Sequence, residues 1–350
     1  MQKFPKVSVI VYNYNYGRYL AECFDSVIGQ DYPNTEIIFS DNASTDQSWE
    51  IALQYDKKFP ETFFLTKNRQ NFGAAANMDN CIFNARGKYV LFLASDDYIK
   101  PNYISRCVGL LEEHLDAGFV MVHRTILNSD GREIQEAPFY DNDYKLYPPS
   151  QVGVYFMSPV NPTISQVFYR GTTLKPHAHT LNDLYFGHRF TDFLICLKMP
   201  IIYLTQALTV HRVHGESDTE KITENLIQIF GLYVMNHQFA EMVKMNDWRI
   251  ENLAFVERKF DKSLKRIAEV SLKYSLNSLV KGQQSLAEKY WYLSLAIDLD
   301  IKNTDLAQKL ERAFIKKDTG LYKQLKELDA ANARSASYKP DPPFEIIDTN

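Results

Sequence analysis

The chain has 350 residues, 45% of them hydrophobic, and a formal net charge of −4. That is enough for one large domain or two ordinary ones with a real apolar core, and the mildly acidic balance argues against a broad nucleic-acid footprint. Cys23, Cys81, Cys107 and Cys196 lie far apart with no CxxC or CxxH spacing, which excludes a zinc finger and gives no disulfide framework.

Reduced thiols in a cytoplasmic protein are the simplest expectation. No uninterrupted apolar run reaches membrane-spanning length. A strand begins almost at once, so no signal peptide is expected.

Val7 to Val11 is a β-branched run suited to a strand covered on both faces. Gly17 to Gly29 reads as a helix with Leu20, Phe24, Val27 and Ile28 on one face. Glu36 to Ser40 is a second strand that ends at Asp41, and Ser44 and Asp46 open a second helix running to about Lys57. Phe63 to Thr66 is a third strand, Gly73 to Ala85 a third helix and Tyr89 to Leu93 a fourth strand. This alternation predicts an α/β, Rossmann-like domain with a mainly parallel sheet and helices on both faces. Phe119 to His123 adds a strand, and Ser129, Asp130 and Gly131 form a tight turn.

Residues Glu136 to Gln166, with Pro138, Pro148, Pro149, Pro159 and Pro162, read as irregular lid or binding loops. Thr219 to Leu328 then turns helical. Within it Gly282, Ala287, Trp291 and Leu295 are spaced like half of a tetratricopeptide unit, though a plain helical hairpin is the simpler description. Ser335 to Asn350 reads as an extended tail or linker. The expected division is therefore 1–218, 219–334 and 335–350.

The chemistry concentrates between Lys88 and Pro101, where an apolar strand ends on Asp96 and Asp97. In open α/β sheets ligands bind outside the carboxyl ends of the strands. Two unpaired acids there are costly to bury, and a hard divalent cation sharing substrate phosphates would account for them. A helix cap is the plainer alternative. No GxGxxG, GxxxxGK[ST] or GxSxG motif is present. The first strand runs instead into Tyr12, Asn13 and Tyr14. Tyr14 can stack on a flat base, and Tyr12 or Asn13 can offer main-chain hydrogen bonds. Asp41 is suited to accept the imide N–H of uracil, or simply to form a turn with Asn42 and Ser44.

Together, VSVIVYNYN, SVIGQDYPNTEIIFSDNASTD, NFGAAANMDN and ARGKYVLFLASDDYIKP resemble the nucleotide-sugar half of family 2 inverting glycosyltransferases of the GT-A fold. The resemblance is continuous over about residues 5–125 and recurs in patches to about 217. It implies that Asp41 reads uracil, that Tyr14 stacks on it, that Tyr12 and Asp96 also lie at the nucleotide, and that the acids Asp96 and Asp97 hold Mn²⁺ or Mg²⁺ on the diphosphate. Two departures are visible. Ala94 stands where many relatives carry a further acid, and the helix near Ala76 lacks their arginine, a charge that Lys67 or Arg69 would have to replace.

The family also places a carboxylate before a downstream helix, to take the proton of the acceptor hydroxyl. Asp192, ahead of Phe193, Leu194 and Leu197, is the preferred candidate and Asp183 the alternative. In TVHRVHGESDT, His214 matches the family's histidine and is expected to complete the metal shell or contact the diphosphate, with Arg212 and Ser217 supporting the loop.

The expectation is a metal-dependent inverting transferase moving a sugar from a UDP-sugar to a glycan or lipid-linked acceptor, in cell-surface polysaccharide synthesis. It would be cytoplasmic, with room for association at the inner membrane face and for self-association through the helical region. A sugar nucleotidyltransferase would need a Gly-rich loop after the first strand, which VYNYNYG does not supply. A non-catalytic binding scaffold is the third reading.

Overall fold

The computed structural model describes residues 4–157, 162–177, 187–214, 226–246, 250–316, 321, 324–325 and 337–349. Two compact units emerge: one comprises 1–151, 161–214 and 336–350, the other 152–160 and 215–335. The boundaries expected at 218 and 334 both fall outside the described residues.

The first unit alternates strand and helix as its sequence dictates: β1 (Val7–Asn13), α1 (Gly17–Ile28), β2 (Thr35–Asp41), α2 (Ser48–Lys58), β3 (Phe63–Lys67), α3 (Ala74–Asn84) and β4 (Tyr89–Phe92). Then follow β5 (Tyr98–Ile99), α4 (Tyr103–Glu113), β6 (Phe119–Leu127), β7 (Glu133–Ile134), β8 (Tyr144–Leu146) and α5 (Pro148–Met157), whose residues from Val152 on are counted with the second unit. It continues with β9 (Val167–Arg170), α6 (Gly171–Leu174), α7 (Gly187–Cys196) and β10 (Ile201–Arg212), and β11 (Phe344–Ile346) comes from the far end of the sequence.

The sheet runs β11-β8-β10-β6-β9-β4-β1-β2-β3, with β5 on β10 and β7 on β6. Strands β3, β2, β1 and β4 are mutually parallel, and β6 and β10 are parallel to each other. Strand β9 lies between the two groups, antiparallel to both β4 and β6. All six parallel strands therefore present their carboxyl ends along one edge, where such sheets bind ligands.

The core follows from doubly covered strands. Val7, Val9 and Val11 of β1 and Ile37 and Phe39 of β2 have no exposed surface, and Leu20, Phe24 and Val27 of α1 pack on them. The Phe24 ring meets Phe39 and Phe63 edge-on at 5.4 and 5.1 Å, the geometry that aromatic quadrupoles favour. At the start of β4 only glycine fits. A Cβ on Gly87 would lie 2.5 Å from Ser8 N, while the Gly87 amide donates to Ser8 Oγ at 2.8 Å.

Two expectations need correction here. The segment 136–166 is more ordered than its prolines suggested: it contains β8, α5 and a 3₁₀ turn at Ile164–Gln166. Pro148 and Pro149 open α5, where a missing N–H leaves no intrahelical bond unmade. The carboxyl-terminal segment is not a free tail or linker. Phe344, Glu345 and Ile346 pair antiparallel with Leu146, Lys145 and Tyr144, and Glu345 accepts a hydrogen bond from Tyr147.

The second unit is helical: α8 (Ile227–Met245), α9 (Ile250–Val280), α10 (Gln284–Ile297) and α11 (Asp305–Lys316). Helices α9 and α10 form a hairpin around Gly282, whose φ of +79° a side chain would resist. Their core is Ala268, Leu272, Leu276, Leu279 and Ala287. Ser271 and Ser275 donate across the hairpin to the carbonyls of Tyr290 and Ala287, each at 2.7 Å. Among the described residues no helix is long and apolar enough to cross a membrane.

Candidate functional site at the carboxyl edge of the sheet

The chain after β4 turns at once: the Asp97 amide donates to the Ala94 carbonyl at 3.0 Å. The two residues of β5 then pair with β10, Tyr98 opposite Val210 and Ile99 opposite Thr209. One step further in that register sets Asp97 opposite His211. This short pairing brings the Asp96–Asp97 turn together with the histidine segment at the end of β10.

The two neighbouring acids have different surroundings. Asp97 is 2% exposed. Its Oδ1 accepts the Arg212 amide at 3.0 Å and faces His211 Nδ1 at 3.1 Å, and its Oδ2 accepts the Ser165 hydroxyl at 2.8 Å. Burial pushes its carboxyl up, but the His211 charge and hydrogen bond, the Arg212 amide and Ser165 outweigh burial and hold it below the usual range. Both oxygens of Asp97 are thus committed to protein donors.

Asp96 is the acid that looks outward. Its Oδ2 lies 3.0 Å from His214 Nε2. Burial first, and the Asp97 charge second, raise its pKa, with His214 offsetting part of the rise. The His214 ring packs against Tyr19 and Tyr16 at 5.2 and 5.7 Å. Arg212 staples the turn from the other side, its Nε donating to the Asp96 carbonyl at 3.0 Å and its guanidinium lying over the Tyr19 ring at 4.8 Å.

The donor set fits a hard divalent cation. A carboxylate oxygen and an imidazole nitrogen 3.0 Å apart match adjacent ligands on an octahedral ion with bonds of about 2.1 Å. Among the described residues no group of three or more His, Cys, Asp or Glu could hold a metal. Further ligands would have to come from a diphosphate and water, as is common for Mg²⁺. His214 thus stands 3.0 Å from Asp96, whereas the oxygens of Asp97, expected to hold the metal with His214, face His211, the Arg212 amide and Ser165.

The nucleotide rim lies at the ends of β1 and β2, where Asn13 and Asp41 are register partners. Asp41 has no exposed surface. Its Oδ1 accepts Asn13 Nδ2 at 3.1 Å and Ser44 Oγ at 2.5 Å, and its Oδ2 accepts the Ser44 amide at 3.1 Å. Asp41 thus fixes the β2–α2 loop as well as standing at the rim. Tyr14 projects from the same edge and is 41% exposed. The Tyr12 carbonyl accepts the Ser95 hydroxyl at 2.7 Å, which ties β1 to the turn that carries Asp96.

A carboxamide network supports this rim. Asn42 donates to Asn71 Oδ1 at 2.7 Å and to the Gly73 carbonyl at 3.1 Å, and it accepts from Asn68 and from the Phe72 amide. Asn77 donates to the Ser40 carbonyl at 3.0 Å. Lys67, considered as a phosphate contact, lies over the Trp49 ring at 5.4 Å.

Asp192 does not stand where a general base must. It is the sixth residue of α7, has no exposed surface, and its Oδ1 accepts the Tyr169 hydroxyl at 2.5 Å. Tyr169 lies in mid-sheet, opposite Val90 and Phe119. A base needs hydrogen-bond reach to its substrate proton, and Asp192 is enclosed by the fold. The apolar residues after it, which suggested an acid leading into a helix, instead mark the buried face of a helix already under way. Asp183 and Ser217 lie outside the described residues.

The sequence reading missed Ser165, His211 and the asparagine network. The doubled histidine of His211-Arg212-Val213-His214 was a usable signal for His211. Ser165 had none, because its role depends on a contact with Asp97 across 68 residues.

Comparisons with known proteins bear on the family and the fold. Residues 8–167 match the family model described as Glycosyl transferase family 2. The putative glycosyltransferase EpsE of Bacillus subtilis is 39% identical over 114 residues, 33% of this chain and 41% of the relative. The poly(ribitol-phosphate) beta-N-acetylglucosaminyltransferase TarS of Staphylococcus aureus is 29% identical over 184 residues, 52% of this chain and 29% of TarS. The match thus spans well under half the length of these curated relatives.

The crystal structure of S. aureus TarS 1–349 with UDP-GlcNAc superposes with a TM-score of 0.58 at 21% identity, covering 92% of this chain and 90% of that one. The mannosyltransferase PcManGT of Pyrobaculum calidifontis, in complex with GDP-Man and Mn²⁺, gives 0.56 at 13% identity, covering 95% and 88%. Likenesses at such identities speak to the fold alone. Taken with the family match from β1 to the start of β9, they lead to one conclusion: residues 8–167 are similar to glycosyltransferase family 2, and the chain has the GT-A fold.

Proposed function

We propose that this protein is a divalent-metal-dependent, inverting glycosyltransferase that moves a sugar from a UDP-sugar to a hydroxyl of a glycan or lipid-linked acceptor in cell-surface polysaccharide synthesis. The observation that carries the reading is the meeting of Asp96 Oδ2 and His214 Nε2 at 3.0 Å on the carboxyl edge of the sheet. A Mn²⁺ or Mg²⁺ ion held there would offset the charge that builds on the departing diphosphate.

The residues of this chain supply the rest. Tyr14 offers a stacking face for the base, and Asp41 with Asn13 shapes the edge that accepts the uracil imide. Arg212, bound to the Asp96 carbonyl, holds the metal-facing turn in place. The acceptor proton goes to a carboxylate. Since Asp192 is enclosed, Asp183 is the candidate for that step. The uridine donor is supported by the TarS complex with UDP-GlcNAc, and the metal by the PcManGT complex with Mn²⁺. The polysaccharide role is supported by the relatives that are poly(ribitol-phosphate) glycosyltransferases.

The test is a screen of UDP-sugars for hydrolysis and transfer, with Mn²⁺ and with EDTA. Turnover of at least one UDP-sugar that stops in EDTA is expected. Turnover unaffected by EDTA, or confined to GDP-sugars, would overturn the reading.

A further inference from the structure

Helix α8 is apolar on two opposite faces, and only one of them is covered. One face buries Leu232, Met235, Phe239 and Val243, and from it Asn236 Nδ2 donates to Ser263 Oγ of α9 at 3.1 Å. At about 3.6 residues per turn, Ile227, Phe230, Val234 and Met245 fall in one stripe on the far side. They are 47, 51, 44 and 80% exposed. A surface helix normally backs its apolar stripe with a polar face, whereas a helix apolar all round is a buried one.

The outer face carries both a plug and a socket. Phe230 stands near one end of the helix. Toward the other end opens a groove of about 570 Å³, room for more than one side chain, whose lining includes Gln238, Glu241, Met242 and Met245. Their i, i+3, i+4, i+7 spacing is that of the hole which receives a knob when two helices pair. Plug and hole are about 11 residues apart, or roughly 17 Å, so Phe230 cannot reach the groove of its own helix.

A second copy laid antiparallel across a two-fold axis exchanges them. Its Phe230 enters the groove, its own groove receives Phe230 in return, Ile227 comes to Met245 and Val234 comes to Gln238. A parallel copy would set Phe230 against Phe230 and leave both grooves unfilled. We infer that this protein forms a two-fold dimer through the outer face of α8, with the Phe230 ring of each copy seated between Gln238 and Met245 of the other. Such an interface is isologous, so it closes at two copies and does not grow into a fibre.

A membrane surface is the other occupant that an apolar stripe could take. Helices that lie on membranes carry Lys and Arg on a polar face. In α8 Lys244 is the one residue of either type, and it is bound to Glu241 at 2.8 Å. The second copy is the better fit.

Sedimentation velocity of the full chain over a dilution series reads the oligomeric state. The wild type should be dimeric at micromolar concentration. Phe230→Glu should raise the dissociation constant at least about tenfold, as expected of an aromatic anchor at the centre of an interface. A monomeric wild type, or a Phe230→Glu variant that dimerises as tightly, overturns the proposal. Co-sedimentation of monomeric wild type with phosphatidylglycerol vesicles, lost in Phe230→Glu, would give the stripe to a membrane instead.

Cysteine pairing tests the arrangement, and the native thiols are buried. The double variant Phe230→Cys, Glu241→Cys should give a disulfide-linked dimer on mild oxidation, because the two sites are too far apart to bond within one helix. Phe230→Cys alone should not. Cross-linking of Phe230→Cys alone would mean parallel helices and sink the proposed seating, and so would a double variant that stays unlinked. Both positions are exposed, so this arm decides the matter if Phe230→Glu fails to fold.

Discussion

His214 Nε2 and Asp96 Oδ2 stand 3.0 Å apart although 118 residues separate them in the chain. The first sits just past the last strand of the parallel set and the second just past the end of β4. In the proposed reading, their meeting offers a carboxylate oxygen and an imidazole nitrogen to one cation. His214→Ala should therefore lower transfer at limiting Mn²⁺ by about 10- to 100-fold and raise the Mn²⁺ concentration needed for half-maximal rate. A Mn²⁺ titration of turnover checks this. A variant with unchanged Mn²⁺ dependence would remove His214 from the site.

The rim at β1 and β2 should select the base. Tyr14→Ala is expected to weaken UDP binding by about 1–3 kcal/mol, the usual loss when a stacking aromatic is removed from a base. Calorimetric titration with UDP, GDP and ADP measures both the loss and the preference, which should favour UDP in the wild type. Equal affinity for the three diphosphates would contradict the assignment.

Asp192 and Asp183 should part company. Asp192→Asn keeps an acceptor for the Tyr169 hydroxyl but removes a buried charge, so its effect should fall on stability, on the order of 1–3 kcal/mol, and leave UDP affinity intact. Asp183→Asn should slow transfer by about 10²- to 10⁴-fold with little change in melting temperature. Paired melting curves and transfer rates decide between them, and the reverse pattern would restore Asp192 as the base.

Acidification should destabilise the first unit through His188. Burial pushes its imidazole down to about 4, the neighbouring Arg189 charge adds to the shift, and the Pro162 carbonyl opposes it. The unfolded chain takes up this proton near pH 6.5 and the folded chain not until about pH 4. Stability is therefore complete above about pH 6.5 and is lost progressively as pH falls toward 4, by at most about 3 kcal/mol. Melting temperatures from pH 7.5 to 4.5 should fall less steeply in His188→Gln. Parallel curves would exclude His188 as the source.

Much of this was legible in the sequence because it depends on local pattern. The β-branched run of β1, the amphipathic face of α1 and the acids after β4 all lie within short windows, and each stands where the pattern put it. What stayed hidden depends on contacts between distant segments. Strand β5 is two residues long and exists only because β10 is there to pair with it. Asp96 and Asp97 are indistinguishable in sequence, and only the register with β10 decides which of them is enclosed. Asp192 misled for the same reason: an acid beside apolar residues reads alike at the start of a helix and on its buried face. The prolines of 136–166 were read as breakers, and two of them proved to be a helix start.

The pairing of β11 with β8 bears on how this protein can be divided and how it assembles. The first unit is discontinuous, and the helical unit is interposed before the last strand is made. During synthesis the sheet stays open at β8 until every helix has been completed, so an unpaired edge is on offer throughout that interval. No single cut can release the first unit whole: a chain stopped after His214 keeps Asp96 and His214 but exposes Tyr144, Lys145 and Leu146 as a strand template. Such fragments should self-associate through β8, and supplying residues 337–349 as a separate peptide should cap them.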